Sequence, residues 1–201
     1  MMSDLYKTIQ SPSKGTFKDK GSKFLAFAYP VSSEEEINVF REQLKKSYHD
    51  ARHHCFAWRL GANMDRFRVN DDGEPSGSAG KPILGQIQSH DLTNVLIIVV
   101  RYFGGTLLGV GGLIRAYRSA ASDALDQALI IEQKVQLKLK LEFGYEKMNS
   151  VMKVLKDMEL EFEDQHFDLS CTLTLKVWSR RKDRLLSKLS IIEGCRVSTL
   201  D

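Results

Sequence analysis

Val95 to Val100 is an unbroken run of six apolar residues, Val-Leu-Ile-Ile-Val-Val. Successive side chains of a strand point to opposite faces, so a strand with this composition is central in its sheet and buried on both sides. A run of this length is far short of a bilayer span. The N-terminus, Met1-Met2-Ser3-Asp4-Leu5-Tyr6-Lys7, lacks a basic segment followed by an apolar one, so secretion is not indicated. A length of 201 residues, 42% hydrophobic and 27% charged, describes one large or two small globular domains.

Other segments group around that strand. Lys23 to Val31 reads as a strand after a Gly21-Ser22 turn, and Ser33 with Glu36 forms a capping box. Ile37, Phe40, Leu44 and Tyr48 then recur at helical spacing. His54 to Leu60 and Arg66 to Asn70 read as strands joined at Gly61-Ala62-Asn63. Asp71-Asp72-Gly73-Glu74-Pro75-Ser76-Gly77-Ser78-Ala79-Gly80 is a loop, and Phe103 to Gly112 is a second, glycine-rich one. A helix is expected from Leu113 to about Leu129, with Tyr117, Ala121, Ala124 and Ala128 on its apolar face.

The last 70 or so residues change pattern. Val135, Leu137, Leu139, Leu141 and Phe143 alternate with polar residues, which is a strand with one buried face. Met148, Val151, Leu155 and Met158 follow at helical spacing, then two strands around Asp168, a helix carrying Leu185, Leu186, Leu189 and Ile192, and a final strand from Cys195 to Leu200. The order is βαββαβ, the ferredoxin-like pattern, in which helices cover one sheet face and leave the other open. The expected architecture is α+β in two domains, 1–131 and 132–201.

Four blocks in order carry a family resemblance: Gly21-Ser22-Lys23-Phe24; His49-Asp50-Ala51-Arg52-His53-His54-Cys55; Asp71 to Gly80 continuing through Lys81-Pro82; and Val100-Arg101-Tyr102-Phe103-Gly104-Gly105 through Leu108-Gly109-Val110-Gly111-Gly112-Leu113. Together they resemble the YigZ/IMPACT family, in its bacterial branch. The resemblance implies an N-terminal domain similar to the fold shared by RNase PH, a small-subunit ribosomal protein and domain IV of elongation factor G. It implies a C-terminal domain similar to domain V of that factor. Eukaryotic relatives are translational regulators that compete for a large activator of an amino-acid-starvation kinase, so the resemblance implies translation-linked binding. Fold by itself does not license a function.

Known chemical motifs are mostly absent. Gly80-Lys81 is followed by Pro82 where a P-loop needs Ser or Thr, and Gly109-Val110-Gly111-Gly112 lacks the spacing of a dinucleotide fingerprint. His53 and His54 point to opposite faces of a strand and do not chelate one ion without a bend. Cys55, within an apolar strand, reads as a buried thiol, and three cysteines without a C-x-x-C pair fit a reducing, cytoplasmic setting. A hydrolase using the His53/Cys55 region ranks third among the functional readings. Asp71, Asp72 and Glu74 offer carboxylates to a cation, with a solvated turn as the plainer reading. No cofactor, metal site or catalytic residue is assigned.

Two basic groups remain. Gly111 and Gly112 precede a helix carrying Arg115 and Arg118, where free N–H groups and guanidinium forks favour an anion, and Lys81 and Arg101 join them if the two loops lie together. The alternative is that the glycines only permit tight turns. Arg180, Arg181 and Lys182 follow Ser179, a candidate cap, at a helix start where positive charge opposes the dipole. The open sheet face is expected to show Lys138, Lys140, Thr172, Thr174 and Lys176, without the stacked aromatics of an RNA-recognition motif. These features lead to a non-enzymatic binder of RNA, ribosome or translation machinery, with protein docking through the N-terminal domain as the alternative and no membrane partner.

Overall fold

The computed structural model describes residues 4–168 and 170–200. It separates into two compact units: Tyr6–Gln133, and residues 134–200 together with Asp4 and Leu5. The extended N-terminal residues thus belong partly to the C-terminal unit. Val135 N–H and Trp178 Nε1–H donate to the Asp4 carbonyl at 2.8 and 3.4 Å, and Ser179 Oγ donates to its carboxylate at 2.9 Å.

The chain of the first unit runs β1 (Leu5–Ile9), β2 (Ser13–Asp19), β3 (Ser22–Pro30), α1 (Glu34–Ser47), β4 (His53–Leu60), β5 (Arg66–Asn70), α2 (Gly80–Ser89), β6 (Val95–Tyr102), α3 (Gly109–Asp126) and β7 (Ile130–Lys134). Its main sheet has the order β2-β3-β6-β4-β5, with antiparallel neighbours throughout. β1 and β7 pair as a separate two-stranded ribbon.

The apolar run lies in β6, in the middle of the sheet, and its alternation sorts two cores. Val95, Ile97 and Val99 pack with Phe24, Ala26, Cys55 and Ala57 beneath α2 and α3. Leu96, Ile98 and Val100 pack with Phe27, Phe56 and Trp58 beneath Ile37 and Leu44 of α1. Each fully buried aliphatic chain of this kind contributes about 1.5–3 kcal/mol relative to exposure. β2 lies against the α3 backbone: a Cβ at Gly15 would fall 2.2 Å from Ala124 N.

Helix ends differ from the expected ones in instructive ways. Ser33 Oγ accepts from Glu36 N–H at 3.3 Å, but the Glu36 carboxylate reaches back to Ser32 N–H at 2.7 Å, one residue before the capping-box partner. α3 begins at Gly109, four residues before the expected Leu113, so Gly111 and Gly112 lie in its first turn. α2, which no sequence signal announced, begins at the last residue of the expected loop.

The second unit contains β8 (Gln136–Gly144), a short 3₁₀ turn, α4 (Met148–Asp157), β9 (Phe162–His166), β10 (Ser170–Trp178), a second 3₁₀ turn at Ser179–Arg181, α5 (Lys182–Leu189) and β11 (Arg196–Leu200). The strand order is β11-β8-β10-β9, antiparallel throughout. Leu139, Leu141, Phe143, Leu173, Leu175 and Val177 form one core with Val151, Leu155, Leu185 and Leu189 of the helices.

Candidate functional site

Four chain segments converge at one end of the five-stranded sheet. β6 ends there at Tyr102, opposite Lys23 near the start of β3; Arg101 lies opposite His53 at the start of β4, and Asn70 at the end of β5 lies opposite Phe56. The loops 71–79 and 103–108 leave from the same end. The four sequence blocks that carry the family resemblance therefore occupy one region of the first unit.

The convergence is sealed by backbone contact. Lys20 and Gly21 both have positive φ, 42° and 79°, which is the type I′ arrangement that suits the twist of the β2–β3 hairpin. Gly104 packs directly on this turn: a Cβ on Gly104 would lie 1.9 Å from Gly21 C, and Gly104 N–H donates to Ser22 Oγ at 3.1 Å. No side chain fits at Gly104 without separating the two segments.

Beneath the loops lies a buried polar network. Arg101 Nη1 donates to Glu74 Oε1 at 2.6 Å, and Tyr117 Oη donates to the same oxygen at 2.8 Å. The Cys55 thiol donates to the Asp71 carbonyl at 3.0 Å and lies 3.3 Å from Tyr117 Oη. Arg101 Nε is buried without a hydrogen-bond partner, and the guanidinium lies over the rings of Phe24 and Phe103 at 5.5 and 5.7 Å. Burial pushes the Cys55 thiol well above its ordinary range, against the pull of the Tyr117 hydrogen bond. A thiol held in that state is a poor nucleophile. Burial likewise pushes the Tyr117 phenol up.

Asp71 organises the loop above. Its carboxylate accepts from the N–H groups of Gly77, Ala79 and Gly80 at 2.8, 3.0 and 2.8 Å. The last two open α2, whose preceding residue Ala79 has no side chain able to cap it. Burial alone would raise the Asp71 pKa, but these donors outweigh it and hold the carboxyl below its usual range. Asp72 braces the start of β4, accepting His54 N–H on its carboxylate at 2.6 Å and His53 Nδ1–H on its carbonyl at 2.8 Å. His54 Nε2–H donates separately to the Tyr48 carbonyl at 3.2 Å. Among the described residues no group of three His, Cys, Asp or Glu side chains is placed to hold a metal ion.

The cations singled out in the sequence fall into three environments. Lys81 and Arg118 line one open hollow of about 490 Å³ between α2 and α3, with Gly77, Pro82, Gly85 and Ile114. Arg115, one turn before Arg118, is exposed, as is Gly111, and the first turns of α2 and α3 contain no acidic residue. Arg101 is different: at 7% exposure it is committed to Glu74, so it does not stand on the surface beside Lys81.

Arg180, Arg181 and Lys182 belong to the second unit. Arg180 lies over the Trp178 ring at 5.8 Å, and Arg181 lines a hollow of about 420 Å³ with Glu159, Glu161 and Glu163. Ser179 does not cap α5, because its hydroxyl is turned to Asp4 and the helix starts three residues later. The lysines of the open sheet face are also compensated. A bulge at Thr174/Leu175 accommodates Glu163, whose carboxylate pairs with both Lys138, at 3.4 Å, and Lys176. Hydrogen bonding from Lys176 holds the Glu163 carboxyl low.

A further cationic group was not apparent from the sequence. Lys18, Lys20 and Lys23 are exposed around the β2–β3 hairpin tip, and Phe103 and Leu107, in the loop packed on that tip, are 54% and 82% exposed. The signal lay in the spacing Lys18-Asp19-Lys20-Gly21-Ser22-Lys23, which places Lys18 and Lys23 opposite each other once the hairpin closes.

Fold and site together define a two-unit mixed α/β protein whose N-terminal unit gathers loops, exposed cations and a sealed polar network at one sheet end. Residues 20–125 match the family described as the Impact N-terminal domain. The chain is 32% identical over 162 residues to the IMPACT family member YvyE of Bacillus subtilis, spanning 81% of this chain and 75% of that protein. It is 41% identical over 120 residues to the IMPACT family member YigZ of Escherichia coli, spanning 59% and 58%. The crystal structure of a hypothetical protein superposes with a TM-score of 0.79 at 26% identity, over 99% of this chain and 98% of that one. The chain belongs to the IMPACT family.

Proposed function

We propose that this protein is a non-catalytic, translation-linked binder of RNA, in which the N-terminal unit contacts phosphates through Lys81, Arg115, Arg118 and the start of α3. The carrying observation is that Lys81 and Arg118, 37 positions apart, line one open hollow. An 18-residue helix whose first turn holds Gly111 and Gly112 and no carboxylate adds free N–H groups and the positive end of its dipole. Arg101 does not touch the phosphates and instead braces, through Glu74, the loop that leads into α2 and Lys81. The compensated lysines of the C-terminal sheet argue against that face as the main binding surface, leaving Arg180 and Lys182 as secondary phosphate ligands.

The translation link rests on family membership and on the likeness we draw between the two units and domains IV and V of elongation factor G, the second unit being taken as ferredoxin-like. A cytoplasmic setting accords with the buried free thiols and with the finding that no described helix is long and apolar enough to cross a membrane. One observation favours protein docking as a second reading: Phe103, Leu107 and Val110 are exposed apolar residues at 54%, 82% and 53%. Ultraviolet crosslinking of the full chain in cell lysate separates the two. RNA on peptides containing Lys81, Arg115 or Arg118 is the expected outcome, whereas crosslinks to protein alone would move the assignment to the docking reading.

A further inference from the structure

Resting on the RNA reading, we infer that the hairpin tip and the loop packed on it form a second binding region, specific for single-stranded RNA, with Phe103 as the base-stacking platform and Lys18, Lys20 and Lys23 as the ligands of the RNA backbone. Phe103 is 54% exposed although it directly follows a buried strand. It is also held in place. The Arg101 guanidinium lies 5.7 Å from its ring centre, that guanidinium is fixed by Glu74, and the next residue, Gly104, is pinned on Gly21. A fixed aromatic loses little freedom when a base stacks on it.

Charge identifies the occupant. The hairpin tip carries Lys18, Lys20 and Lys23 against one acid, Asp19, and the nearby Glu74 is already neutralised by Arg101. An aromatic face beside a lysine-rich rim matches single-stranded nucleic acid, in which bases stack while phosphates track the cations. A duplex keeps its bases stacked on one another and offers no free face to Phe103.

The test is binding of the full-length protein to a uridine or adenosine oligomer and to an RNA duplex of equal length. Phe103→Ala and Phe103→Leu are each expected to weaken oligomer binding about 5- to 100-fold, because one base–aromatic stack is removed, while duplex binding stays within about twofold. Phe103→Tyr retains oligomer binding. Phe103→Trp provides a fluorophore expected to be quenched by the oligomer and not by the duplex. Wild-type affinity in Phe103→Leu would overturn the inference, since an apolar side chain would then suffice, as at a protein interface. Equal losses on oligomer and duplex would overturn it as well. If charge reversal at Arg115 and Arg118 abolishes binding while Phe103→Ala does not change it, this inference fails and the phosphate-binding reading stands. If the wild-type protein binds neither RNA, both fall.

Discussion

Arg101 shows how one side chain changes meaning between sequence and structure. At the end of an apolar strand and beside a glycine-rich loop, it reads as a free cation near a phosphate site. Its guanidinium instead pairs with Glu74, 27 positions earlier, where a side-chain exposure of 8% and 4% leaves little room for water. The burial of Arg101 was legible in principle, because β6 is apolar on both faces up to Val100. The identity of its partner was not, since Glu74 sits in a loop whose path no local rule specifies. A buried pair of this kind is costly to break on one side only. Glu74→Ala should therefore destabilise the protein by about 3–5 kcal/mol, leaving Arg101 and Tyr117 without their common acceptor. Joint replacement of Glu74 and Arg101 by Leu and Met is expected to cost less than the single change. Urea unfolding of the single and double variants checks this, and a Glu74→Ala cost below about 1 kcal/mol would show that the network does not hold the loop.

The elements that were legible are those whose signals are local. The alternation of β8, the apolar run of β6 and the Ser33 cap of α1 each depend on residues within a few positions. α2 was missed because its start is organised from outside. Gly80, Pro82 and Gly85 suggest a breaker-rich loop, while the cap comes from Asp71, nine positions before Gly80. Asp71→Ala should cost about 0.5–2 kcal/mol, the range for loss of a helix N-cap, and speed hydrogen exchange at Gly77, Ala79 and Gly80. The pH dependence has a defined sign. The Asp71 carboxyl has a lowered folded-state pKa, so its stabilising contribution is complete above the ordinary carboxylate pKa and lost as the pH falls through the depressed value. Exchange at those amides, corrected for intrinsic rates, should rise on acidification below the usual carboxylate range in the native protein and not in Asp71→Ala. Loss of protection between neutral pH and pH of about 6 would point to a histidine instead.

At the scale of the whole molecule, the change of hydrophobic pattern along the chain matches the change of unit: the two core layers of the first unit and the single core of the second share no residue, and each unit has its own helices. Among the described residues the second core contains none before Leu137, so a fragment of residues 132–201 should unfold cooperatively on its own. It should be less stable than within the full chain, because it lacks the acceptor groups of Asp4. A fragment with no cooperative transition in urea would contradict the separation into two folding units. What the sequence did not reveal at this scale is the gathering of residues 18–23, 71–82 and 101–118 at one sheet end, which follows from strand order and register.

The central claim is that Lys81, Arg115, Arg118 and the start of α3 bind phosphate as a site, beyond what a diffuse positive surface would provide. The most direct measurement is the slope of log affinity against log salt concentration for RNA binding, compared among the wild type, the Arg115→Glu/Arg118→Glu variant and a Lys45→Glu/Lys46→Glu control in the last turn of α1. Removing one phosphate-neutralising side chain should lower the slope by about 0.9 on duplex and about 0.7 on single strands. The account predicts a slope reduced by about one to two in the α3 variant, with weaker binding, and little change in the control. Equal losses in both variants, or binding indifferent to salt, would contradict it.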